Sequence, residues 1–160
     1  MTHMHDENIK TGRVLVFLQF LLAAIVIGLT LIERSLTYRQ EIEAVKIISV
    51  VLMILGIIIV ITALVTFKQR VTPNPVPLET ARLRTNGIYG YIRHPMYSSV
   101  ILFLIGFTLY ERAYYSFFLN IIVVIFLAVK IKFEEKQLEK HFPDYKEYQS
   151  KTKKLLPFIY

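Results

Sequence analysis

Two polar blocks flank the last apolar stretches of this chain and carry most of its candidate chemistry. The first block reads Gly-Ile-Tyr-Gly-Tyr-Ile-Arg-His-Pro-Met-Tyr and occupies residues 87–97. The second is the pair Glu134-Glu135, which follows two further apolar stretches. Charged and titratable side chains are costly near hydrocarbon, so their clustering at the ends of apolar segments indicates a binding or active site.

The first block predicts a helix that starts at Pro95. Proline is well tolerated at the first helical position, because its missing N–H would have no partner there. The N–H groups of a helix start can bind an anion, and Arg93 and His94 would add donors beside it. Alternatively, Arg93 and His94 only extend to the membrane interface as snorkelling side chains.

The second block predicts a carboxylate beside the same site. Lys130 and Glu134 are four residues apart and therefore share one face of a helix. Glu134 could hold an ammonium group or sugar hydroxyls. The alternative is a solvated, ion-paired helix face, and we expect Glu135 to belong to such a face. The aromatic series Phe142, Tyr145 and Tyr148 is expected to pack the C-terminal segment onto the bundle.

These residues together suit a ligand that is zwitterionic, aromatic and cationic. An amino-acid carboxylate fits the helix start, and adenine or a sulfonium fits the faces of tyrosine rings. Ribose hydroxyls or an ammonium fit the carboxylate, and S-adenosylmethionine has all of these parts. The chain has no glycine-rich phosphate loop. It has no cysteine either, which excludes thiolate nucleophiles and cysteine-bound metals, and we expect no metal site.

The elements that must position these residues are apolar helices. Of the chain, 54% is hydrophobic, more than the roughly 45–50% usual in soluble domains, and the additional apolar residues lie in blocks. The first two blocks are long enough to cross a hydrocarbon core of about 30 Å. The last two are shorter, are joined by Glu111-Arg112, and predict a helical hairpin. The blocks are residues 14–32, 47–67, 96–110 and 113–129.

The predicted fold is therefore all-α: a polytopic membrane helix bundle of about four transmembrane helices, with a long loop and a C-terminal helical segment. We expect the fourth helix to continue to about His141 and Asn120 to make an interhelical hydrogen bond. We expect a single integral membrane domain over residues 1–160. Its parts are a polar tail (1–13), a two-helix part (14–67) with a connection at 33–46, and a core that carries both polar blocks (68–160).

The net charge of +7 predicts the orientation of this bundle. Fifteen of the 19 lysines and arginines fall in the N-terminus, the loop at 68–94 and the C-terminal segment. The positive-inside rule places all three in the cytoplasm. Because these charges flank spans, anionic membrane lipids are the expected partners and nucleic acid is not.

Both blocks resemble motifs of one superfamily. Residues 87–97 resemble the G-x-Y-x-x-x-R-H-P-x-Y motif of the isoprenylcysteine carboxyl methyltransferase and phospholipid methyltransferase superfamily. The run from Glu134-Glu135 through Leu138, Phe142, Tyr145 and Tyr148 to Leu156-Pro157-Phe158 resembles its C-terminal signature. The resemblance extends from about residue 68 to residue 158, whereas the first two spans match only in being apolar.

This resemblance implies an integral membrane enzyme that takes S-adenosylmethionine from the cytoplasm. It implies methyl transfer to a membrane-embedded or lipophilic acceptor, such as a carboxylate, an amine or a thiol. His94 could assist proton removal, and Lys130 stands where the carboxyl methyltransferases have a substrate-facing arginine. Lysine is a point charge that lacks the bidentate grip of arginine, and this departure weakens the case for a prenylcysteine carboxylate as the acceptor. The implied cofactor-binding residues are Leu83, Arg84, Tyr89, His94, Pro95, Met96, Tyr97 and Glu134.

Two other functions fit parts of the pattern. Sterol-type reductases have a similar Arg-His-Pro block and bind NADPH, although this chain is short and shows no evident site for the additional phosphate. The other function is that of a non-catalytic membrane scaffold that has kept the fold.

Overall fold

The computed structural model describes residues 2–67 (side chains from residue 6), 76–77 and 81–155. Over these ranges it confirms the predicted all-α class. Its only strand-like pairing there is an isolated parallel bridge between Ile92 and Lys153. The α-helices are α1 (Thr2–Leu36), α2 (Glu43–Phe67), α3 (Pro95–Tyr110), α4 (Tyr114–His141) and α5 (Tyr145–Lys151), and a 3-10 helix spans Gly87–Gly90.

Three of these helices are long and apolar enough to cross a membrane: Asp6–Leu36, Glu43–Phe67 and Tyr114–His141. The fourth apolar helix, α3, has 16 residues and rises about 24 Å. Many large apolar side chains of α1 and α2 are exposed, including Phe17 and Val65. Such surfaces are stable against lipid tails, so the helices indicate a membrane protein.

The four long helices pack as antiparallel neighbours in the order α1, α4, α3, α2. The pairing of α2 with α3 is the tightest, because glycine allows the two backbones to approach. A Cβ at Gly106 would lie 2.7 Å from the carbonyl oxygen of Ser49, which real Cβ atoms do not tolerate. On the other side of α3, a core of buried side chains joins α1, α3 and α4: Val26, Leu104, Val123 and Leu127.

In the N-terminal half, the ends of α1 and α2 differ from the bounds that the sequence predicts. The polar residues 2–13 continue α1 instead of forming a separate tail, since extending an existing helix costs far less than starting one. The connection between α1 and α2 is correspondingly shorter than predicted, at residues 37–42. The extension of α4 to His141 and the interhelical bond are confirmed: Asn120 Nδ2 donates to Thr108 Oγ1 at 3.0 Å.

The antiparallel order divides the molecule into two polar ends. The loop end contains the start of α3, the last turns of α4, the end of α2 and residues 81–94. The hairpin end contains the α1–α2 connection and the turn between α3 and α4. Of the predicted loop 68–94, residues 68–75 and 78–80 lie outside the described residues.

Candidate active site

The first polar block is held in place by a local turn at the loop end. Gly87 has φ 57°, a conformation that side chains disfavour, and a Cβ there would meet Thr66 of α2 at 2.8 Å. The 3-10 helix that follows buries Tyr89 against the ring of Phe67, with centroids 5.9 Å apart. The predicted helix start at Pro95 is confirmed.

The two polar blocks meet at this end. Tyr97 Oη donates to Glu134 Oε2 at 2.6 Å. His94 Nδ1 lies 3.8 Å from the same carboxylate oxygen. The buried His94 ring stacks on Tyr97 with centroids 5.4 Å apart. Residues separated by 37 positions in the chain thus form one cluster around a single carboxylate.

The other side of His94 faces Glu135, and here the sequence expectation is wrong. Glu135 is buried instead of solvated, and its Oε1 accepts from Arg93 Nε at 2.8 Å. Lys154 Nζ lies 3.7 Å from its other oxygen. His94 Nε2 lies 3.5 Å from Glu135 Oε1, outside hydrogen-bond geometry, so among the described residues this buried nitrogen has no hydrogen-bond partner.

Arg93 does not snorkel, because its side chain is buried and its guanidinium is engaged within the protein. Besides Glu135, its guanidinium donates to the carbonyl oxygens of Gln149 and Thr152. The two carbonyls belong to a segment that folds back on the first polar block, residues 145–155, which we call the C-terminal strap. Arg93 therefore ties the strap to the first polar block, and it also lines the cavity described below.

The strap fixes the backbone on which His94 sits. Arg93 N–H donates to Lys153 O at 2.8 Å, and His94 N–H donates to Lys154 O at 3.0 Å. Tyr148 Oη donates to Tyr89 O at 2.6 Å. Tyr145 and Tyr148 are buried, which confirms the predicted packing of this segment. The strap therefore orients both Tyr89 and His94.

A cavity of about 370 Å³ opens beside this cluster. Seven of the predicted site residues line it, and they come from the 3-10 helix, α3 and α4. The remaining lining comes from Arg93, from Ser99 and Val100 of α3, and from residues of α1 and α2 that sequence reasoning missed. The residues of α1 and α2 are Val16, Gln19, Phe20, Val60 and Phe67. The predicted residues in the lining are Tyr89, His94, Pro95, Met96, Tyr97, Lys130 and Glu134.

Lys130 is the cation of this cavity. It is buried, with 2% of its surface exposed. Its Nζ donates to Gln19 Oε1 of α1 and lies 5.0 Å from the centroid of the Tyr97 ring. Gln19 had one signal in the sequence, since it is a polar amide inside the uncharged stretch 14–32.

Leu83 and Arg84 lie apart from this lining, in an extended segment that precedes the 3-10 helix. Both are half-buried. Among the described residues, the buried Nε of Arg84 has no hydrogen-bond partner.

Three buried tyrosines outside the spans, Tyr89, Tyr145 and Tyr148, remain neutral phenols at ordinary pH because their pKa values are raised. Burial and, secondarily, the nearby Glu134 carboxylate raise the pKa of Tyr89 to about 12. Burial likewise raises the pKa of Tyr145 and of Tyr148. Neutral rings retain the electron-rich faces that attract cations.

Comparison with known proteins identifies a family for this chain. A family model described as phospholipid methyltransferase matches residues 45–145. That range contains α2, α3, α4 and both polar blocks, and leaves out α1 and most of the strap. Searches among curated proteins and among solved structures found no match. Because the match covers more than half of the chain, the protein belongs to the phospholipid methyltransferase family.

Proposed function

We propose that this protein transfers the methyl group of S-adenosylmethionine to a lipophilic acceptor, and that transfer takes place in the loop-end cavity. The family supports a membrane methyltransferase. The observation that carries the finer proposal is the convergence of His94, Tyr97 and Glu134 on one cavity.

The residues present fit this methyl donor. A cavity of about 370 Å³ lies within the usual range for small-molecule sites. The Glu134 carboxylate can accept from the donor's ammonium group or its ribose hydroxyls, and the faces of Tyr89 and Tyr97 suit adenine or the sulfonium. Leu83 and Arg84 do not line this cavity, so their assignment to the donor rests on the motif resemblance alone.

When bound, S-adenosylmethionine supplies a methyl group on a sulfonium: the bond from methyl carbon to acceptor forms as the carbon–sulfur bond breaks, its electron pair stays on sulfur, and S-adenosylhomocysteine leaves. The protein's task is then mainly positioning, which can lower a barrier by about 7–11 kcal/mol. Tyr97 and His94 hold the Glu134 carboxylate in one orientation. The apolar walls of α1 and α2 exclude water from the reacting atoms.

Proton handling depends on the acceptor. A carboxylate or thiolate acceptor attacks without a base, whereas an amine must be neutral when it attacks and releases a proton afterwards. His94 is the group assigned to take that proton, because its ring lines the cavity and its Nδ1 lies beside Glu134. Tyr97 is less suited, since its hydroxyl is engaged with Glu134.

The acceptor reaches the cavity from the bilayer. Val16 and Phe20 of α1 face Val60 of α2 across the cavity, while α1 packs mainly on α4 and α2 mainly on α3. The side between α1 and α2 is therefore an apolar opening that suits a lipid chain.

The loop end faces the cytoplasm in this proposal. Exposed lysines on the last turns of α4 and on the strap would contact anionic lipid headgroups, each contributing about 1 kcal/mol. They are Lys132, Lys136, Lys140, Lys146, Lys151 and Lys153.

The test is a calorimetric titration of purified protein with S-adenosylhomocysteine. We expect saturable binding that is lost in His94→Ala and in Glu134→Ala, with folding intact by circular dichroism. Membranes incubated with methyl-labelled S-adenosylmethionine should then show label in the lipid extract. Undiminished binding in both variants would remove the site, and saturable binding of NADPH instead would favour the reductase alternative.

A further inference from the structure

The imidazole ring of His94 lies between two carboxylates, one beside each of its nitrogens. Nδ1 lies 3.8 Å from Glu134 Oε2, and Nε2 lies 3.5 Å from Glu135 Oε1. Glu134 lines the cavity, whereas Glu135 does not. The two nitrogens therefore face different surroundings: Nδ1 is on the side of the cavity, and Nε2 is on the side of the C-terminal strap.

The Nε2 atom needs a hydrogen-bond partner. It is buried, and among the described residues it has none, although buried polar groups in proteins are almost always paired. Glu135 Oε1 is close enough to become that partner, because a contact of 3.5 Å has to shorten by only about 0.5 Å. Hydrogen bonds of this kind often tighten when a ligand binds.

Glu135 is itself held firmly beside the ring. Its Oε1 accepts from Arg93 Nε at 2.8 Å, and Lys154 Nζ lies 3.7 Å from Oε2. The His94 ring is fixed as well, since it stacks on Tyr97 with an interplanar angle of 8°. Its backbone N–H donates to Lys154 O of the strap. Carboxylate and imidazole are thus positioned by the same two segments.

Glu134 competes less well for the proton of this ring. Its Oε2 already accepts from Tyr97 Oη at 2.6 Å, and its charge also acts on Lys130 one helical turn earlier. Its side chain is 23% exposed, against 9% for Glu135. Neutral imidazole carries one proton. On Nδ1 that proton would leave the buried Nε2 without a donor for Glu135, whereas on Nε2 it leaves Nδ1 where water or a ligand can reach it.

We propose that Glu135 is a positioning residue for His94: its carboxylate accepts a hydrogen bond from Nε2–H and keeps the lone pair of Nδ1 on the side of the cavity. The hydrogen bond of one ring nitrogen decides which nitrogen carries the proton, as an orienting carboxylate does for the histidine of hydrolase triads. The inference rests on the proposed function, because His94 needs this lone pair to take a proton in the cavity. The adjacent glutamates then differ in role, Glu134 serving the ligand and Glu135 serving His94.

The experiment is nitrogen-15 NMR of the full-length protein with labelled histidine in dodecyl maltoside micelles, with and without S-adenosylhomocysteine. Spectra are recorded at alkaline pH, where imidazole is neutral, and the signals of His94 are those missing from His94→Asn. Chemical shifts distinguish a protonated ring nitrogen from one with a lone pair. We expect a proton on Nε2 and a lone pair on Nδ1 in the wild-type protein. Glu135→Gln should lose this preference, because an amide can donate to Nε2.

Two further variants test whether the effect belongs to Glu135. Glu139→Gln is the matched control, because it removes an exposed carboxylate from the same helix one turn further on, and it should leave the tautomer unchanged. Tyr145→Phe removes a second buried polar atom that has no hydrogen-bond partner among the described residues, and it should also leave the tautomer unchanged.

A second readout separates positioning from ligand binding. In membranes given methyl-labelled S-adenosylmethionine, Glu135→Gln should lower the label in the lipid extract about tenfold or more, as for loss of a proton-transfer group. Its affinity for S-adenosylhomocysteine should fall much less than that of Glu134→Gln, because Glu135 does not line the cavity.

A proton on Nδ1 of wild-type His94 would overturn the inference, and this result requires no variant to fold. The wild-type tautomer in Glu135→Gln would also overturn it. A changed tautomer in Tyr145→Phe would do the same, since the phenol would then be the partner of Nε2. An equal loss of S-adenosylhomocysteine affinity in Glu135→Gln and Glu134→Gln would make Glu135 a ligand contact instead. Failure of the wild-type protein to bind S-adenosylhomocysteine is a different result, which would overturn the proposed function while the tautomer of the protein alone is still measured.

Discussion

The loop end of the bundle carries far more charged side chains than the hairpin end, and the two ends use them in different ways. At the hairpin end, Glu33 accepts from the backbone N–H of Ser116 at 2.9 Å and of Tyr115 at 3.2 Å, which caps the first turn of α4. The same carboxylate pairs with Arg39 at 3.1 Å. The Glu33 carboxylate at the hairpin end therefore stabilises the fold.

The arginines of the hairpin end are satisfied in the same internal way. Arg39 Nη1 donates to Arg112 O at 2.7 Å, and Arg112 Nη1 donates back to Arg39 O at 2.6 Å. Arg39 also lies over the ring of Tyr114, 4.2 Å from its centroid. The cavity at this end is only about 90 Å³.

The loop end has a cavity four times larger. Among the described residues it also has a buried histidine nitrogen without a hydrogen-bond partner and a buried lysine that donates to a neutral amide. Polar residues at the end of a span are therefore not evidence of function by themselves. A structural cluster differs from a candidate site in its hydrogen bonding. In the first, the polar groups bind one another; in the second, some of them have no partner in the protein and can bind a ligand.

The largest expected effect is that of Arg93→Met at the loop end. Removing one member of a buried ion pair costs about 3–5 kcal/mol, and this arginine also holds the strap. We expect a marked fall in the midpoint of thermal unfolding in detergent, together with loss of S-adenosylhomocysteine binding. Arg93→Lys keeps the positive charge but lacks the planar guanidinium, so its unfolding midpoint should lie between those of Arg93→Met and wild type. An unfolding midpoint in Arg93→Met equal to that of wild type would refute the role of the strap.

Glu134→Gln separates ligand binding from folding. The amide keeps the shape of the side chain but not its charge, so the contact with a cationic ligand weakens by about 1.5–3 kcal/mol. This corresponds to roughly ten- to a hundredfold in the dissociation constant of S-adenosylhomocysteine, measured by calorimetry. Thermal stability should change little, and an unaltered dissociation constant would count against Glu134 as a ligand contact.

Glu33→Gln is the counterpart at the hairpin end. Loss of the charged cap and of the Arg39 pair should lower the free energy of unfolding by about 1–3 kcal/mol. Because this carboxylate serves only the fold, the folded variant should bind S-adenosylhomocysteine as tightly as wild type. Weakened binding here would show that the two ends are coupled, and the comparison between them would fail.

Alkaline pH should lower the stability of the folded protein by a smaller amount, through Tyr89 at the loop end. Burial raises the pKa of Tyr89 to about 12 from its ordinary value of 10.0. Between these pH values the unfolded chain has lost the phenolic proton and the folded protein keeps it, so stability falls as pH rises. Unfolding measured across this window should show a shallower decline in Tyr89→Phe than in wild type, and identical slopes would contradict the burial of this phenol.

The sequence predicts most of the helices but fewer of the contacts between side chains of different helices. Apolar runs and Pro95 give the helices, and the motif resemblance led us to expect His94 and Glu134 at one site. The burial of Glu135 was not predictable, because it depends on the strap returning to the first block through backbone bonds that side-chain patterns do not encode. The contact of Gln19 with Lys130 depends on which helices become neighbours, and hydrophobic periodicity does not specify that.

The most direct test of the central claim is photolabelling, because tyrosines stand at both ends. Protein irradiated with methyl-labelled S-adenosylmethionine, with and without excess S-adenosylhomocysteine, is digested and the labelled peptides are sequenced. The account predicts competable label on peptides that contain Tyr89 or Tyr97, at the loop end. Label on the peptide with Tyr114 and Tyr115, or label that S-adenosylhomocysteine does not displace, would contradict it.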